Sequence, residues 1–166
     1  MISLKAYAKI NLTLEVQAKR PDGYHEISSI LQTISVADTL TFELDKKLDF
    51  RCNIFSLQTP DNLVLKAARL LQQTTGSNKG ATVTLTKAIP IAAGLGSGAT
   101  DAAATLRALN QLWQLNLSLD KLTDLAAKRG SDVPFFFHGG TALAKGRGEQ
   151  ITSLPPTPQL WLVLLE

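Results

Sequence analysis

The stretch PIAAGLGSGATDAAA, from Pro90 to Ala104, decides how the rest of this chain is interpreted. Three glycines, Gly94, Gly96 and Gly98, fall within five positions, and an alanine-rich segment that favours helix follows at once. The segment before it, ATVTLTKAIP, has the alternating pattern of a strand. The order strand, glycine loop, helix has two explanations. Either the loop only makes a tight turn with alanines packed closely behind it, or its bare backbone approaches a ligand.

The second explanation predicts an anion-binding site. Helix starts carry unpaired N–H groups and a partial positive charge, and glycines let a phosphate come close to the backbone. Ser97 and Thr100 would add hydroxyl donors, and Asp101 is expected in the first helical turn. No lysine follows the glycines as in a P-loop, and no acidic residue closes a second strand as in a dinucleotide-binding unit. A dinucleotide site is therefore disfavoured, whereas a phosphate site and a structural turn both remain open.

The composition is that of one globular domain of 166 residues, with 45% hydrophobic and 19% charged residues. The formal net charge of +3 is small and its lysines and arginines are scattered, which permits an anionic ligand without indicating nucleic acid. The single Cys52 cannot form an internal disulfide, and no His or Cys cluster has metal-site spacing. No apolar run reaches the length of a membrane span. These features predict a reducing compartment, either a bacterial cytoplasm or the stroma of a plastid for a mature plant form.

Local patterns predict an α+β fold, because strand and helix patterns occur in mixed order. Strands are predicted at Ile2–Gln17 with a break around Ala8–Asn11, Thr39–Leu44, Leu48–Phe55, Ala81–Pro90, and in TALAKG and EQITSL as a pair. Helices are predicted from the Thr59 cap and Pro60 to Gly76, over Ala99–Trp113, and over Ser118–Arg129. The segment Ile27–Val36 is ambiguous, and SDVPFFFHGG is expected to be a loop. The strand pattern of Leu160–Glu166 suggests a boundary, with residues 1–158 as one domain and residues 159–166 as the first strand of a second.

Polar residues stand in apolar surroundings at three further places. Lys9 and Asn11 interrupt a strand pattern, Tyr24 and His25 follow a Pro-Asp-Gly turn, and Asp132 lies between a helix end and an apolar run. Each has a structural explanation: a solvated edge of the strand, a surface turn with an aromatic anchor, or a turn-forming aspartate. Each is also a candidate functional position.

Taken together, five segments resemble the GHMP kinase superfamily and, within it, the family of 4-diphosphocytidyl-2-C-methyl-D-erythritol kinases. They are, in chain order, AKINL, RPDGYHE, PDNLVLKAARLL, KAIPIAAGLGSGATDAAATLRALN and GSDVPFF. The glycine loop alone would indicate only the superfamily, whereas AKINL, DGYHE and GSDVPFF are specific for this family. The resemblance covers nearly all of the chain. It implies the ribosomal protein S5 domain 2-like fold that forms the N-terminal domain of these kinases.

The resemblance also implies an activity and a set of site residues. The γ-phosphoryl group of ATP moves to the 2-hydroxyl of cytidine-diphosphate-linked methylerythritol, a step of the non-mevalonate route to isoprenoid precursors. Asp132 matches the catalytic aspartate that would accept the hydroxyl proton, and Lys9 matches the partner that would keep it ionised. Positions that match the ATP site are Pro90, Ile91, Ala92, Ala93, Gly94, Leu95, Gly96, Ser97, Gly98, Ala99, Thr100, Asn62 and Lys87. Positions that match the substrate side are Asn11, Tyr24 and His25.

Mg²⁺ is expected with ATP, although the sequence identifies no metal ligand. The partner implied is this small-molecule substrate, with neither nucleic acid nor membrane. Ser97 stands where the family has glycine, Ala99 stands where it has serine, and the chain stops where the second domain of the family begins. We therefore expect the chain to fold and to hold most catalytic residues, yet to turn over slowly.

Other interpretations remain compatible with the sequence. Another GHMP kinase, acting on a sugar, mevalonate or homoserine, would share the glycine loop but would not explain DGYHE. A nucleic-acid-binding module with the S5-like fold gains slight support from the net charge, but no basic stripe or interleaved aromatic residues are present. A non-catalytic remnant of a kinase is a third possibility.

Overall fold

The computed structural model describes residues 1–165, which form a six-stranded sheet covered by helices. The strands are β1 (Ile2–Lys19), β2 (His25–Asp45), β3 (Leu48–Cys52), β4 (Gly80–Thr86), β5 (Thr141–Gly146) and β6 (Gln150–Ser153). The helices are α1 (Leu63–Thr75), α2 (Ser97–Leu112), α3 (Leu119–Ala127) and α4 (Phe135–His138), with a 3₁₀ turn at Phe55–Leu57. This mixed content confirms the predicted α+β class.

Strand β2 is the centre of the sheet. In the order β3-β4-β2-β5-β6, its C-terminal part pairs with β4 and its N-terminal part pairs with β5, while β1 runs antiparallel along nearly all of it. Strands β3 and β4 are parallel. Strand β4 ends at Thr86, so the chain leaves the sheet directly into Lys87 and the glycine loop. The loop therefore starts at the sheet and returns at the N-terminus of α2.

The two long strands replace several shorter predicted ones. The prediction of a strand over Ile2–Gln17 is confirmed, but the break expected around Ala8–Asn11 is wrong: β1 is continuous, and shifts of register flank its residues 9–11. Bulges of this kind bend a strand and change the direction of its side chains. Strand β2 includes both the ambiguous segment Ile27–Val36 and the predicted strand Thr39–Leu44.

Helix α1 begins three residues later than predicted. Its cap is Asn62, whose Oδ1 accepts a hydrogen bond from the Val64 N–H at 2.9 Å, so the prediction of Thr59 as cap and Pro60 as first residue is wrong. The predicted end at Gly76 is confirmed, because this glycine has the left-handed conformation with φ of 68°. The sequence offers two possible caps, Thr59 and Asn62, and Asn62, which directly precedes the helix, forms the hydrogen bond.

Helix α2 begins earlier than predicted, at Ser97, which places Asp101 in the second helical turn and not in the first. The cap of α3 at Ser118 is confirmed by its acceptance of a hydrogen bond from the Lys121 N–H. The segment SDVPFFFHGG, expected to be a loop, contains the short helix α4.

The core lies between the sheet and helices α1, α2 and α3. Trp113, at the C-terminus of α2, is fully buried, and its indole Nε1–H donates a hydrogen bond to the Gly80 carbonyl at 3.1 Å. This contact joins the end of α2 to the start of β4. The two segments that flank the glycine loop are thus packed together at their far ends as well.

Residues 154–165 contain no helix or strand. The strand predicted for Leu160–Glu166 is therefore not formed over residues 160–165, and Glu166 lies outside the described residues. A strand needs a partner for its backbone hydrogen bonds, and the side chains of this segment are exposed instead. The domain boundary at residue 158 stays a prediction. Among residues 1–165, no helix combines the length and hydropathy needed to cross a bilayer.

Candidate active site

A cavity of about 430 Å³ lies between the glycine loop and the start of α1. This volume is within the range of small-molecule sites, roughly 300–1,000 Å³. Twelve of the thirteen predicted ATP-site residues line it: Pro90, Ile91, Ala92, Ala93, Gly94, Leu95, Gly96, Ser97, Gly98, Ala99, Asn62 and Lys87. The thirteenth, Thr100, is buried and lines a second cavity instead, together with residues of β1 and α4. The structure therefore gathers nearly all of this predicted set around one space.

Close packing explains the glycine at position 96. Its φ of 72° is left-handed, and a Cβ at this position would lie 2.6 Å from the ring Cζ of Phe136 and 3.1 Å from Cγ of Lys9. The Lys9 N–H also donates to the Leu95 carbonyl at 3.0 Å, which ties the loop to β1. The loop backbone therefore lies directly against the strand that carries Lys9.

Lys9 and Asp132 form an ion pair, with Nζ and Oδ2 separated by 3.4 Å. Lys9 comes from the irregular part of β1 and is only 6% exposed, whereas the carboxylate of Asp132, in the turn before α4, is 43% exposed. The buried ammonium is further satisfied by Asn11, whose Oδ1 accepts a hydrogen bond from it at 2.7 Å. A buried cation thus holds an accessible carboxylate beside the glycine loop.

A chain of hydrogen bonds orients Asn11. Its Nδ2–H donates to Ser29 Oγ at 2.7 Å, and the Ser29 hydroxyl donates to the Thr13 carbonyl at 2.6 Å. Ser29 is fully buried in β2. Because the amide nitrogen of Asn11 is directed toward Ser29, its oxygen faces Lys9, and the two strands together set the position of the lysine amine.

Tyr24 and His25 lie outside the glycine-loop cavity. Both are exposed, at the turn between β1 and β2. The guanidinium of Arg147 stacks 4.9 Å from the centre of the Tyr24 ring. Arg147 belongs to the turn between β5 and β6. In that turn, a Cβ at Gly148 would lie 3.6 Å from Asp132 Oδ1. The turn between β5 and β6 therefore spans the distance between the aromatic residue and the Lys9–Asp132 pair.

Lys87 belongs to a buried charged cluster under the glycine loop. Its Nζ donates hydrogen bonds to Asp38 Oδ2, to Ser97 Oγ, and to Asp101 Oδ2 at 2.9 Å. The other oxygen of Asp38 accepts hydrogen bonds from the N–H groups of Ala88 and Ile89, at 2.6 and 2.9 Å. Two carboxylates and one ammonium are thus enclosed together.

Asp101 is the member of this cluster whose pKa departs most clearly from its ordinary value. Burial raises the pKa of Asp101 to about 7, although the neighbouring Lys87 acts in the opposite direction and the charge of Asp38 adds to the rise. Its Oδ1 is buried and has no hydrogen-bond partner in residues 1–165. Asp101 therefore exchanges its proton near neutral pH.

Sequence reasoning missed Asp38, Ser29 and Arg147. Asp38 stands in an apolar strand pattern, which was the available signal in the sequence. A charged residue within such a strand requires a partner, because burying an unpaired charge is costly. Its partner is 49 positions away, and no local pattern identifies it. Ser29 and Arg147 give no comparable signal.

Comparisons with known proteins agree with this arrangement. The model of the GHMP kinase N-terminal domain matches residues 62–140. A 4-diphosphocytidyl-2-C-methyl-D-erythritol kinase of Bacillus pumilus (strain SAFR-032) is 51% identical over 164 residues, covering 96% of this chain and 56% of its own length. An enzyme of the same name from Geobacillus sp. (strain WCH70) is also 51% identical, covering 97% and 57%. The chain thus spans about half the length of the curated relatives it matches.

Solved structures show the same fold. A crystal structure of 4-(cytidine 5'-diphospho)-2C-methyl-D-erythritol kinase superposes with a TM-score of 0.79 and 37% identity, covering 92% of this chain and 55% of that one. The Methanococcus jannaschii mevalonate kinase superposes with a TM-score of 0.69 at 16% identity, covering 93% and 56%, which shows a shared fold alone. Residues 62–140 therefore match the GHMP kinase N-terminal domain, and the chain shares its fold with a solved 4-(cytidine 5'-diphospho)-2C-methyl-D-erythritol kinase.

Proposed function

We propose that this chain is the ATP-binding and catalytic part of a kinase that phosphorylates the 2-hydroxyl of 4-diphosphocytidyl-2-C-methyl-D-erythritol. The names of relatives at about 50% identity support this substrate. The observation that carries the proposal is the Lys9–Asp132 pair, held at 3.4 Å beside the glycine loop. The pathway is the non-mevalonate route to isoprenoids, and bacterial relatives favour a bacterial cytoplasm.

The residues divide the chemistry between them. Backbone N–H groups of the glycine loop and the N-terminus of α2 bind the ATP phosphates. The substrate oxygen attacks the γ-phosphorus, its proton passes to a carboxylate oxygen of Asp132, and ADP leaves. Lys9 fixes that carboxylate and stabilises the charge that develops. A positioned base of this type contributes about 10²–10⁴-fold, and positioning with electrostatics supplies most of the remainder.

Mg²⁺ would accompany ATP and shield the phosphate charges, which lowers the barrier to attack by an oxygen nucleophile. Mg²⁺ commonly keeps several waters and takes few protein ligands beside phosphate oxygens. Residues 1–165 contain no group of three His, Cys, Asp or Glu side chains arranged for a metal. We assign the metal no protein ligand.

The substrate side comprises Asn11, Tyr24 and His25. Tyr24 offers an exposed ring for a cytosine base, and His25 offers an imidazole for hydrogen bonding beside it. Asn11 lies closer to the reacting groups, since its side chain contacts the Lys9 amine. With its base at Tyr24 and its reacting hydroxyl near Asn11, one extended substrate would span the site.

Calorimetric titration of the 166-residue chain tests the substrate. We expect saturable binding of 4-diphosphocytidyl-2-C-methyl-D-erythritol, weakened about tenfold or more by His25→Ala, because one recognition contact is lost. The control is His138→Ala, which removes the other histidine of the chain, located in α4. Binding of ATP without binding of the cytidine compound would reject this substrate and favour another kinase of the superfamily.

Phosphoryl transfer tests the catalytic role. We expect Asp132→Asn to lower kcat by about 10²-fold or more while ATP still binds, because the proton acceptor and its ion pair with Lys9 are lost but the glycine loop is unchanged. Asp124→Asn, at an exposed position of α3, is the matched control. An Asp132→Asn variant with undiminished kcat would remove Asp132 from the mechanism.

A further inference from the structure

Lys87 has no hydrogen-bond donor left for a nucleotide. An ammonium has three N–H donors, and Lys87 Nζ already has three acceptors: Asp38 Oδ2, Ser97 Oγ and Asp101 Oδ2. All three charged side chains are more than nine-tenths buried. A phosphate oxygen could bind Lys87 only by displacing one of them, and a displaced carboxylate would remain buried without its cation.

The cluster connects both ends of the glycine loop. Asp38 Oδ1 accepts hydrogen bonds from the N–H groups of Ala88 and Ile89, where the chain enters the loop. Ser97 and Asp101 lie on the first two turns of α2, where the chain leaves the loop. Asp38 therefore holds the entry of the loop, and the Lys87 amine links Asp38 to Ser97 and Asp101 at the exit of the loop.

We propose that Asp38, Lys87 and Asp101 are positioning residues that fix the two ends of the glycine loop, and that Lys87 does not itself bind the nucleotide. The inference rests on the proposed function only in naming ATP as the ligand of the loop. It differs from the expectation that Lys87 contacts the nucleotide, although Lys87 lines the cavity. The role of Lys87 is carried out through Ser97 and the backbone.

Two variants distinguish positioning from direct binding. Asp101→Asn keeps the size of the side chain but removes the carboxylate that accepts a hydrogen bond from Lys87, and the comparison is made at pH 8, where Asp101 is ionised in the wild type. If Lys87 bound ATP directly, loss of this competing carboxylate would leave ATP affinity unchanged or raise it. If the cluster positions the loop, the affinity for ATP falls about tenfold, the scale of one charge-assisted hydrogen bond.

Asp61→Asn is the matched control for charge. Asp61 also lines the cavity but is exposed, and its ion-pair partner Lys66, 3.0 Å away, lies outside the cluster. Removing its charge changes the electrostatic attraction of ATP without touching the loop ends.

Ser97→Ala is the second variant, because it removes one hydroxyl contact of Lys87 and leaves both buried carboxylates in place.

Amide hydrogen exchange gives a readout that needs no nucleotide. The Thr100 N–H donates the first helical hydrogen bond of α2, to the Gly96 carbonyl at 2.9 Å. We expect exchange at residues 100–103 to become about tenfold faster in Asp101→Asn and in Ser97→Ala, and to be unchanged in Asp61→Asn. Amides of β2 residues 39–44, in the centre of the sheet, serve as the reference for overall stability.

The exchange and ATP-binding measurements together decide on the proposal. Faster exchange together with weaker ATP binding supports the proposal. Unchanged exchange in both cluster variants overturns it, as does ATP affinity in Asp101→Asn that equals or exceeds that of the wild type. If the wild-type chain fails to bind ATP while the variants still show faster exchange, the positioning role stands and the proposed function fails. If Asp101→Asn does not fold, the exchange measurement on Ser97→Ala decides alone, because Ser97 itself lines the ATP cavity.

Discussion

Gly96 and Gly94 share a backbone conformation but differ in their surroundings. Their φ values are 72° and 73°, so alanine at either position meets the same left-handed strain, about 1–2 kcal/mol. A Cβ at Gly94 meets no atom within 4 Å, whereas a Cβ at Gly96 overlaps the Phe136 ring. We expect Gly96→Ala to lower the free energy of unfolding by about 1–3 kcal/mol more than Gly94→Ala, the cost of overpacking.

Urea unfolding followed by circular dichroism measures this difference. Because the two variants share the backbone strain, the difference between them isolates the contacts with Phe136 and Lys9. Equal destabilisation by both variants would show that the loop can move away from α4 at no cost.

The buried carboxylate of Asp101 makes stability depend on pH. Since its folded pKa is about 7 and its ordinary value is 3.8, the folded state binds a proton between these values and the unfolded state does not. The contribution of Asp101 to stability is therefore complete below pH 4 and is lost as the pH rises to about 7, with a slope approaching 1.4 kcal/mol per pH unit. We expect this slope in the difference between wild type and Asp101→Asn.

Unfolding of both proteins at several pH values from 4 to 8 provides the measurement. Subtracting the variant removes the titration of all other groups that the two proteins share. A difference that stays constant with pH would place the folded pKa of Asp101 at its ordinary value.

Individual site residues were predictable to different extents. Lys9 and Asp132 were candidate positions because a lysine in an apolar strand and an aspartate before an apolar run are locally conspicuous, and their roles came from the family resemblance. Lys87 was selected as a nucleotide contact, yet its three partners are brought to it by β2 and α2. Contacts between distant segments depend on tertiary packing, which the local pattern does not contain.

At the scale of elements, helix α1 depends on its cap. Asn62 accepts a hydrogen bond from the Val64 N–H, and its own Nδ2–H donates to the Leu57 carbonyl at 3.0 Å. We expect Asn62→Ala to lower the free energy of unfolding by about 1 kcal/mol or more, the usual cost of losing a cap. Thr59→Ala, at the exposed position that the sequence suggested as the cap, is expected to stay within about 0.5 kcal/mol.

Thermal and urea unfolding of the two variants decide between the caps. A larger loss in Thr59→Ala would mean that α1 begins earlier in solution. The loss of Asn62 also affects the cavity wall, so ATP affinity measured in parallel shows whether the start of α1 contributes to the site.

Strand lengths were harder to predict than strand positions. In β2, buried and half-buried residues alternate over residues 29–32 and 38–42, whereas residues 33–37 are half-buried or exposed without alternation. The period of two that identifies a strand is therefore blurred in the middle of β2. In β1, the bulges around Lys9 interrupt the same period. Lys9 and Asn11, which lie between these bulges, are residues of the proposed site.

For the whole molecule, the glycine loop is the point where separate parts of the fold meet. Strand β1 contributes Lys9, β2 contributes Asp38, and α4 contributes Phe136 against the loop backbone. Asp132 contacts Lys9 from its own turn, and Gly148, in the turn between β5 and β6, lies close to Asp132. A site of this construction forms only when the entire sheet is assembled, so its integrity follows the global stability of the domain.

The two tryptophans differ in burial, and we expect only Trp113 to belong to the cooperatively folded core. Trp113 is fully buried and hydrogen-bonded to Gly80, whereas Trp161 is 92% exposed in the C-terminal segment. We expect Trp113→Phe to lower the free energy of unfolding by about 1–3 kcal/mol, because a hydrogen bond and packing volume are lost. Trp161→Ser is expected to change it by no more than about 0.5 kcal/mol.

Iodide quenching of fluorescence tests the same boundary by an independent route. In the folded wild type, Trp161 is expected to be quenched and Trp113 to be protected, so Trp161→Ser leaves a single protected emission. Because Trp113 reports on the packing of α2 against β4, its exposure on unfolding should coincide with the loss of ATP binding. Strong destabilisation by Trp161→Ser would instead show that residues 154–165 belong to the cooperative core, and the loop site would then depend on that segment too.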